Sequence, residues 1–286
     1  MTPAEFPARR TLAWLAAGAV LLVLAGIALH LAGLDPVWLL RAHASARSQA
    51  GTVLWSCLTV LGLGWCALIC VLAADRGAGR LAALLLPTFI VGTLLTHVTK
   101  WVVAVPRPAG TDLLPRMHVI GQVLRGSVSM PSGHSITAAA MAALLFLAVR
   151  RARAALLGPL LALGAVSVAT SRVMVGAHWP SDVTVGLGLG LLSVALCGAA
   201  IRTDAGRRLH EAFARRIASP AGQRWLAVVE VAAAVGLLRE RTGYPAGEPM
   251  VIAMVVLACA SAIRRWRAAR EARPVPALAQ APVERT

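Results

Sequence analysis

Long apolar runs recur along this chain, and they constrain its fold more than any other feature. Six of them approach or exceed the roughly 18 residues expected of a membrane-spanning helix. They cover residues 12–34, 53–73, 81–99, 135–149, 156–170 and 183–201. Hydrophobic residues make up 58% of the 286, against about 45–50% in a typical soluble domain. We therefore predict an all-α, polytopic membrane bundle with six core transmembrane helices.

Two weaker apolar segments follow the six runs, at residues 225–238 and 250–263. Fourteen helical residues cover only about 21 Å of a hydrocarbon core that is about 30 Å thick. The pair is therefore either an extra C-terminal hairpin that spans the membrane or one that lies in the interface. We favour spanning, although Glu230 places a carboxylate inside the first segment, where a charge is costly.

The domain organisation follows from this pattern. Residues 1–201 are predicted to form the six-helix core, and residues 202–224 a basic cytoplasmic linker. Residues 225–263 form the extra hairpin, and residues 264–286 a basic tail that we predict to be disordered. The first run is longer than the apolar region of a signal peptide, and no small-x-small cleavage site follows it, so we expect an uncleaved helix.

The distribution of positive charge predicts the orientation. Of the 28 Lys and Arg residues, nine fall on one side of the predicted bundle, and the remaining 28 − 9 = 19 share the side of both termini. Excess positive charge stays in the cytoplasm, so both termini are predicted to be cytoplasmic. This topology accounts for the net charge of +16. The arginines are dispersed over membrane loops without an aromatic-rich patch, so we expect no nucleic-acid partner.

Three short motifs flank these apolar runs. They read Lys100-x6-Arg107-Pro108, Pro131-Ser132-Gly133-His134 and Ser171-Arg172-x5-His178-x3-Asp182. The first follows the third run, the second precedes the fourth, and the third joins the fifth run to the sixth. Because each predicted span crosses the membrane once, all three motifs are expected on the non-cytoplasmic face. The chain has 27 arginines and a single lysine, Lys100, which lies in the first motif.

The residue types in these motifs suit the binding of phosphate. Arg107 lies between two prolines, which favour an extended backbone and would aim a guanidinium at phosphate oxygens. Ser132 and Gly133 stand at the head of an apolar helix, where free N–H groups and the helix dipole favour an anion. His178 and Asp182 are four residues apart, so a helical turn would bring the carboxylate to the imidazole and leave the other ring nitrogen free as a nucleophile.

The motifs resemble the signature of the type 2 phosphatidic acid phosphatase (PAP2) family, the lipid phosphate phosphatases, which share it with vanadium haloperoxidases. Eleven positions carry the resemblance: Lys100, Arg107, Pro108, Pro131, Ser132, Gly133, His134, Ser171, Arg172, His178 and Asp182. The resemblance extends over the six-helix core, about residues 12–201, and does not cover the chain after Arg202.

The resemblance implies a metal-independent hydrolase that needs no cofactor. His178 would attack phosphorus and form a phosphohistidine, with His134 as general acid and then as base, and Asp182 would orient His178. The equatorial phosphate oxygens would be held by Lys100, Arg107, Ser132, Gly133 and Arg172. No metal ligand is expected.

The remaining histidines are expected to be structural. His97 lies three residues before Lys100 and could support the site, but packing is the favoured role. His30, His43, His118 and His210 have no partner at ligand spacing and are expected at the surface or the interface.

The predicted function is dephosphorylation of a lipid phosphate or pyrophosphate drawn from the bilayer. The Arg- and Ala-rich composition favours a GC-rich bacterium, which places the protein in the inner membrane with a periplasmic site. Undecaprenyl pyrophosphate ranks first by family analogy, ahead of phosphatidylglycerophosphate, phosphatidic acid and lipid A phosphates. The alternatives from other classes are a lipid phosphotransferase and a non-catalytic lipid-binding protein. The sequence gives no indication of the oligomeric state.

Overall fold

A computed structural model describes residues 6–45, 48–149 and 151–271. These residues contain no β-strand and form eleven α-helices. In chain order the helices are α1 Arg9–Leu31, α2 Asp35–Ser45, α3 Gln49–Leu61, α4 Gly64–Ala74, α5 Arg80–Val102, α6 Gly133–Ala148, α7 Ala154–Met174, α8 Pro180–Ala200, α9 Asp204–Ala218, α10 Pro220–Arg239 and α11 Glu248–Glu271.

Within the described residues, six segments are long and apolar enough to cross a membrane. They are α1, α5, α7, α8, α10 and the stretch Pro245–Glu271, which includes α11. Large apolar side chains such as Leu21, Leu94 and Ile252 are exposed on the outside of the bundle, as expected for a surface that faces lipid. The predicted polytopic helical bundle is confirmed, but these six segments are not the six predicted core helices. The fourth predicted run forms α6, which has 16 residues and is too short to be among them, whereas both helices of the C-terminal hairpin are included.

The second predicted span differs from its expectation, because it is broken. Helices α3 and α4 are bent by 69° relative to each other at a break of two residues. Gly62 ends α3, and the backbone of Leu63 is extended before α4 begins. A Cβ atom on Gly62 would lie 2.8 Å from Val168 Cγ1 and 3.0 Å from His134 Cβ. The missing side chain therefore lets the break approach α6 and α7 closely.

Helix α8 lies at the centre of the bundle. It packs against α1, α5, α6 and α7. Small residues allow this close packing: a Cβ atom on Gly186 would lie 2.7 Å from the Ser132 carbonyl oxygen, and one on Gly188 would lie 2.8 Å from that of Ala19. The motif-bearing start of α8 is thus held directly beside the start of α6.

The C-terminal hairpin is longer than the sequence suggested. Helices α10 and α11 contain 20 and 24 residues, which corresponds to about 30 and 36 Å. Both segments can therefore cross a bilayer by length and composition. Ser219 caps α10 and Pro220 occupies its first turn. Helix α11 continues to Glu271, so residues 264–271 are helical rather than part of a disordered tail, and residues 272–286 lie outside the described part of the chain.

The carboxylate that argued against a spanning hairpin has a partner. Glu230 is buried in α10, and its Oε1 accepts hydrogen bonds from Arg265 Nε at 3.1 Å and Ser261 Oγ at 2.7 Å, both in α11. The long sequence separation of Glu230 and Arg265 explains why the local pattern around Glu230 did not predict the pair. Pairing reduces the cost of burying the charge.

Candidate active site

The three motifs meet at one end of the bundle. The end of α5, the start of α6, the end of α7 and the start of α8 lie at this end, and hydrogen bonds between the motifs show it. The backbone N–H of Ser132 donates to the Asp182 carbonyl at 3.1 Å. Arg107 Nη1 donates to the Ala177 carbonyl at 2.9 Å. All three motifs are therefore joined by direct hydrogen bonds.

His178 lies in the tight turn between α7 and α8, and its carboxylate partner lies in the first turn of α8. Asp182 Oδ2 is 3.1 Å from His178 Nδ1. This is the contact that their separation of four residues predicted. The same oxygen accepts a hydrogen bond from the Trp179 N–H at 2.9 Å. A carboxylate on Nδ1 favours the tautomer that carries its proton there, so Nε2 carries the lone pair.

Ser129 is a member of this cluster that the motif analysis missed. Its hydroxyl donates to Asp182 Oδ2 and lies 3.3 Å from His178 Nδ1. Ser129 is held by its N–H, which bonds the Val105 carbonyl at 2.7 Å. Asp182 Oδ1 is buried and has no hydrogen-bond partner among the described residues. The sequence signal for Ser129 was weak, because it is one serine in an irregular loop.

Arg107 bonds the other ring nitrogen of His178, since Nε2 accepts from Arg107 Nη1 at 3.4 Å in the tautomer that carries its proton on Nδ1. Its extended segment is fixed because Trp179 Nε1 donates to the Pro106 carbonyl at 2.7 Å. Burial, reinforced by the positive charges of Arg172, Arg107 and Lys100, lowers the pKa of His178 well below its usual range. The imidazole is therefore neutral at pH 7, which is the form that can act as a nucleophile.

Arg172 lies in the last turn of α7 and is buried. Its Nη1 donates to the hydroxyl of Tyr244 at 3.1 Å, while Nε is buried and has no hydrogen-bond partner in the described part of the chain. The neighbouring Ser171 points elsewhere, because its hydroxyl bonds the Val168 carbonyl at 2.6 Å and lies 2.9 Å from Thr59 Oγ1 of α3. Arg172 thus retains hydrogen-bonding capacity, whereas Ser171 joins two helices.

The second motif forms the start of α6. Ser132 caps the helix, and its buried Oγ accepts from the Ser135 N–H at 3.4 Å. Gly133 is the first residue of the helix, and a Cβ atom there would have no neighbouring atom within 4 Å. The space beside Gly133 is therefore open, next to a helix N-terminus whose free N–H groups would suit an anion.

A cavity of about 260 Å³ adjoins His134 and Gly133. His134 lies close enough to His178, Arg107 and Arg172 to interact electrostatically with all three. His97 lines the same cavity and is exposed, so the favoured packing role is wrong and its position agrees with the alternative, a residue that supports the site. Lys100 lies half-buried in the last turn of α5 and interacts electrostatically with Arg107 and Asp182.

Asp35 is a second residue that sequence reasoning missed. It is buried at the start of α2, and its Oδ1 accepts from the Ser181 N–H at 2.8 Å. Its Oδ2 accepts from the Ser181 hydroxyl at 2.6 Å and lies 3.1 Å from His30 Nδ1. Asp35 thus fixes the first turn of α8, one residue before Asp182. An acid between two apolar segments was the available signal.

His43 corrects another expectation, since it is buried rather than at the surface. Its Nε2 bonds the Val173 carbonyl at 2.8 Å, and its Nδ1 accepts from the His118 N–H at 3.1 Å. It therefore ties the end of α7 to the long loop between α5 and α6.

The charge balance around His178 favours an anion. Three cationic side chains, Lys100, Arg107 and Arg172, interact electrostatically with its imidazole, and Asp182 already bonds that imidazole. No group of three or more His, Cys, Asp or Glu side chains in the described ranges is placed to hold a metal ion.

A neutral imidazole, a second histidine and several cations at the ends of apolar helices indicate a membrane enzyme that handles phosphate groups. The family comparison agrees: a model described as the PAP2 superfamily matches residues 80–204, which include all eleven motif positions. The chain therefore contains a PAP2 domain at residues 80–204, and the family resemblance is confirmed there; its predicted extension over residues 12–79 is not covered by the match. Helices α1–α4 and the hairpin lie outside the matched segment. No curated protein and no solved structure gives a significant match.

Proposed function

We propose that this protein is an integral membrane phosphatase that hydrolyses a lipid phosphate or pyrophosphate through a phosphohistidine at His178. The PAP2 domain and the apolar helices indicate a membrane phosphatase. One observation carries the finer assignment: His178 has Asp182 at 3.1 Å from Nδ1, while Nε2 faces Arg107 at 3.4 Å. This arrangement suits a nucleophile directed at a phosphorus atom between cations.

The reaction has two steps. In the first, His178 Nε2 attacks phosphorus, the bond from phosphorus to the lipid oxygen breaks, and His134 gives that oxygen a proton. In the second, His134 removes a proton from water, the water oxygen attacks phosphorus, and the bond from phosphorus to Nε2 breaks. Asp182 stabilises the positive charge that His178 carries in the intermediate.

The equatorial oxygens of the phosphate are assigned to the cations and to the start of α6. Lys100, Arg107 and Arg172 would neutralise the charge that these oxygens carry. The Ser132 hydroxyl oxygen accepts from the Ser135 N–H and keeps its own proton to donate, and the space where a Cβ atom of Gly133 would lie is open. Such positioning and charge stabilisation supply most of the catalysis in phosphoryl transfer.

Apolar surroundings support a lipid as the substrate. The cavity beside His134 shares Gly64 and Phe89 with a larger apolar groove of about 930 Å³ along α4, α5 and α10. A lipid phosphate would fit both surfaces, with its polar headgroup in the cavity at His134 and its hydrocarbon chains along the apolar groove. Undecaprenyl pyrophosphate is the first candidate, followed by phosphatidylglycerophosphate, phosphatidic acid and lipid A phosphates.

The decisive experiment is phosphate release by the purified protein in detergent, with excess chelator and these four lipids. We expect release from at least one lipid, its loss in His178→Ala, and full retention in His210→Ala, a matched histidine at the opposite end of the bundle. A labelled substrate should leave an acid-labile label on the wild type alone. Unchanged release by His178→Ala would contradict the proposed mechanism.

We also propose that the site faces the extracytoplasmic side of a bacterial inner membrane, with both termini in the cytoplasm. In a Cys259→Ala background, Arg116→Cys lies at the site end and Arg208→Cys on α9 at the other end, and both positions are exposed. An impermeant thiol reagent added to intact cells should label the first and not the second. The reverse pattern would overturn this orientation.

A further inference from the structure

The connection between α10 and α11 reaches the candidate active site, although it lies outside the PAP2 segment. The Gln122 N–H of the α5–α6 loop donates to the Gly243 carbonyl at 3.0 Å. A Cβ atom on Gly247 would lie 2.7 Å from Val60 Cγ2 and 3.0 Å from the Ser56 carbonyl of α3. The tip of the hairpin is therefore seated on the core at the end where the motifs meet.

Tyr244, at this tip, is the only tyrosine in the chain. It is buried in a cluster with Ile120, Val175 and Ala177, against which Trp55 packs. Val175 and Ala177 belong to the turn between Arg172 and His178. Tyr244 thus packs directly on the segment that carries the third motif.

The hydroxyl of Tyr244 is bonded to the guanidinium of Arg172. Nη1 of Arg172 donates to this oxygen at 3.1 Å, and the guanidinium carbon lies 5.5 Å from the centroid of the tyrosine ring. Within the described residues, Tyr244 is the one side chain that hydrogen-bonds Arg172. A neutral phenol fixes the arginine without cancelling its charge, whereas a carboxylate would compete with a phosphate for it.

We propose that Tyr244 is a positioning residue, which holds Arg172 so that its buried, unpartnered Nε and remaining donors face the phosphate. The C-terminal hairpin therefore completes the phosphate site that the PAP2 segment begins. This inference rests on the proposed function, since it takes Arg172 to be a phosphate ligand.

The test compares Tyr244→Phe with the wild type. This variant keeps the ring and its packing and removes only the hydroxyl that bonds Arg172. Because hydrogen bonds to charged groups are among the stronger ones, we expect KM for the lipid phosphate and Ki for inorganic phosphate to rise about tenfold. We expect kcat to change less, and the melting temperature to remain within a few degrees of that of the wild type.

Two controls separate positioning from packing. Trp55→Phe reduces an aromatic side chain in the same cluster without touching Arg172, and it should leave KM and Ki unchanged. In a double-mutant cycle, Tyr244→Phe should add little to Arg172→Lys if the tyrosine acts through the arginine. The proposal would be overturned if the effects of Tyr244→Phe and Arg172→Lys on KM and Ki were additive. It would also be overturned if Trp55→Phe raised KM and Ki as much as Tyr244→Phe does.

Direct binding of inorganic phosphate by calorimetry distinguishes this inference from the proposed function. If the wild type binds phosphate but releases none from any lipid, the proposed function fails, and a tenfold weaker Kd in Tyr244→Phe still supports the role of Tyr244. If Tyr244→Phe binds phosphate as tightly as the wild type, the role of Tyr244 is refuted even where the phosphatase is active. If the wild type neither binds nor hydrolyses, both proposals fail.

Discussion

Two buried arginines join the C-terminal hairpin to the core, one at each end of the bundle, and their surroundings differ. Arg172 and Arg265 are equally buried, at 3% exposure. Arg265 donates from Nε to Glu230 at 3.1 Å and from Nη1 to Gln223 at 2.6 Å. Its Nη2 donates to the carbonyls of Leu72 and Asp75.

Arg172, in contrast, has a neutral tyrosine as its side-chain partner and a buried Nε without a partner in the described ranges. Burial of a cation without a countercharge is costly, so such an arrangement suits a position where a ligand supplies the missing charge. The comparison separates an arginine that stabilises the fold from one that is available for binding. Burial alone does not distinguish them, whereas their hydrogen bonds do.

Removing Arg172 should have the largest effect. We expect Arg172→Ala to lower kcat/KM at least about 10³-fold, because charge stabilisation is lost where the phosphoryl group is transferred. The melting temperature should change little, since few bonds of the fold depend on this side chain. Phosphate release and thermal unfolding in detergent measure the two effects. Arg239→Ala, an exposed arginine at the same end, is the matched control and should behave as the wild type.

Removing Arg265 should have the opposite result. Arg265→Met leaves the Glu230 carboxylate buried without its cation, which is expected to destabilise the protein by about 3–5 kcal/mol. The kcat of the folded fraction should stay within about twofold of the wild type. Adding Glu230→Leu to Arg265→Met should restore part of the stability. Wild-type stability in the single variant would refute the structural role assigned to Arg265.

The pH dependence of activity should change when Arg172 is replaced and should not change when Arg265 is replaced. Burial and the nearby cations lower the pKa of His178, so the acid limb of kcat/KM should lie below pH 6.5 in the wild type. Loss of Arg172 removes a positive charge that disfavours protonation, so the pKa of His178 should rise and the limb should move to higher pH. Arg265→Met should not move it. NMR titration of labelled histidines, assigned with His178→Ala, gives the pKa directly.

The smallest effect is expected at Ser171, which is adjacent to Arg172 and belongs to the same motif. Its hydroxyl bonds Val168 and Thr59 rather than the pocket, so Ser171→Ala should change kcat/KM by less than about threefold. The loss of a buried hydrogen bond should lower stability by about 1 kcal/mol. A large loss of activity with unchanged stability would show that Ser171 contacts the substrate.

The sequence was sufficient to predict the features that depend on local pattern. Apolar runs of spanning length determine helices, and strict alternation of direction brings the ends of the third to sixth runs to one face. The spacing of His178 and Asp182 predicted their contact because four residues make about one helical turn.

Features that depend on distant partners were missed. Glu230 pairs with Arg265, and Tyr244 pairs with Arg172. In each pair the two residues belong to different segments of the chain, so the local sequence pattern does not predict the contact. The break at Gly62 was also missed, because hydropathy is continuous across it and only packing against His134 and Val168 reveals the close approach. Ser129 lies in a loop and Asp35 at the start of a short helix, positions where their residue types have many other roles.

The hydrogen bond between Arg172 and Tyr244 also has a consequence for the order in which the chain is synthesised. A nascent chain that has just emerged beyond Asp182 carries all eleven motif positions, yet the tyrosine that holds Arg172 is still to be synthesised. The tip of the hairpin can reach its place only after α10, which precedes it in the chain, has been synthesised. If Tyr244 positions Arg172 as proposed, the phosphate site is complete only when this tip is in place, and a chain that ends before it leaves Arg172 without its hydrogen-bond partner.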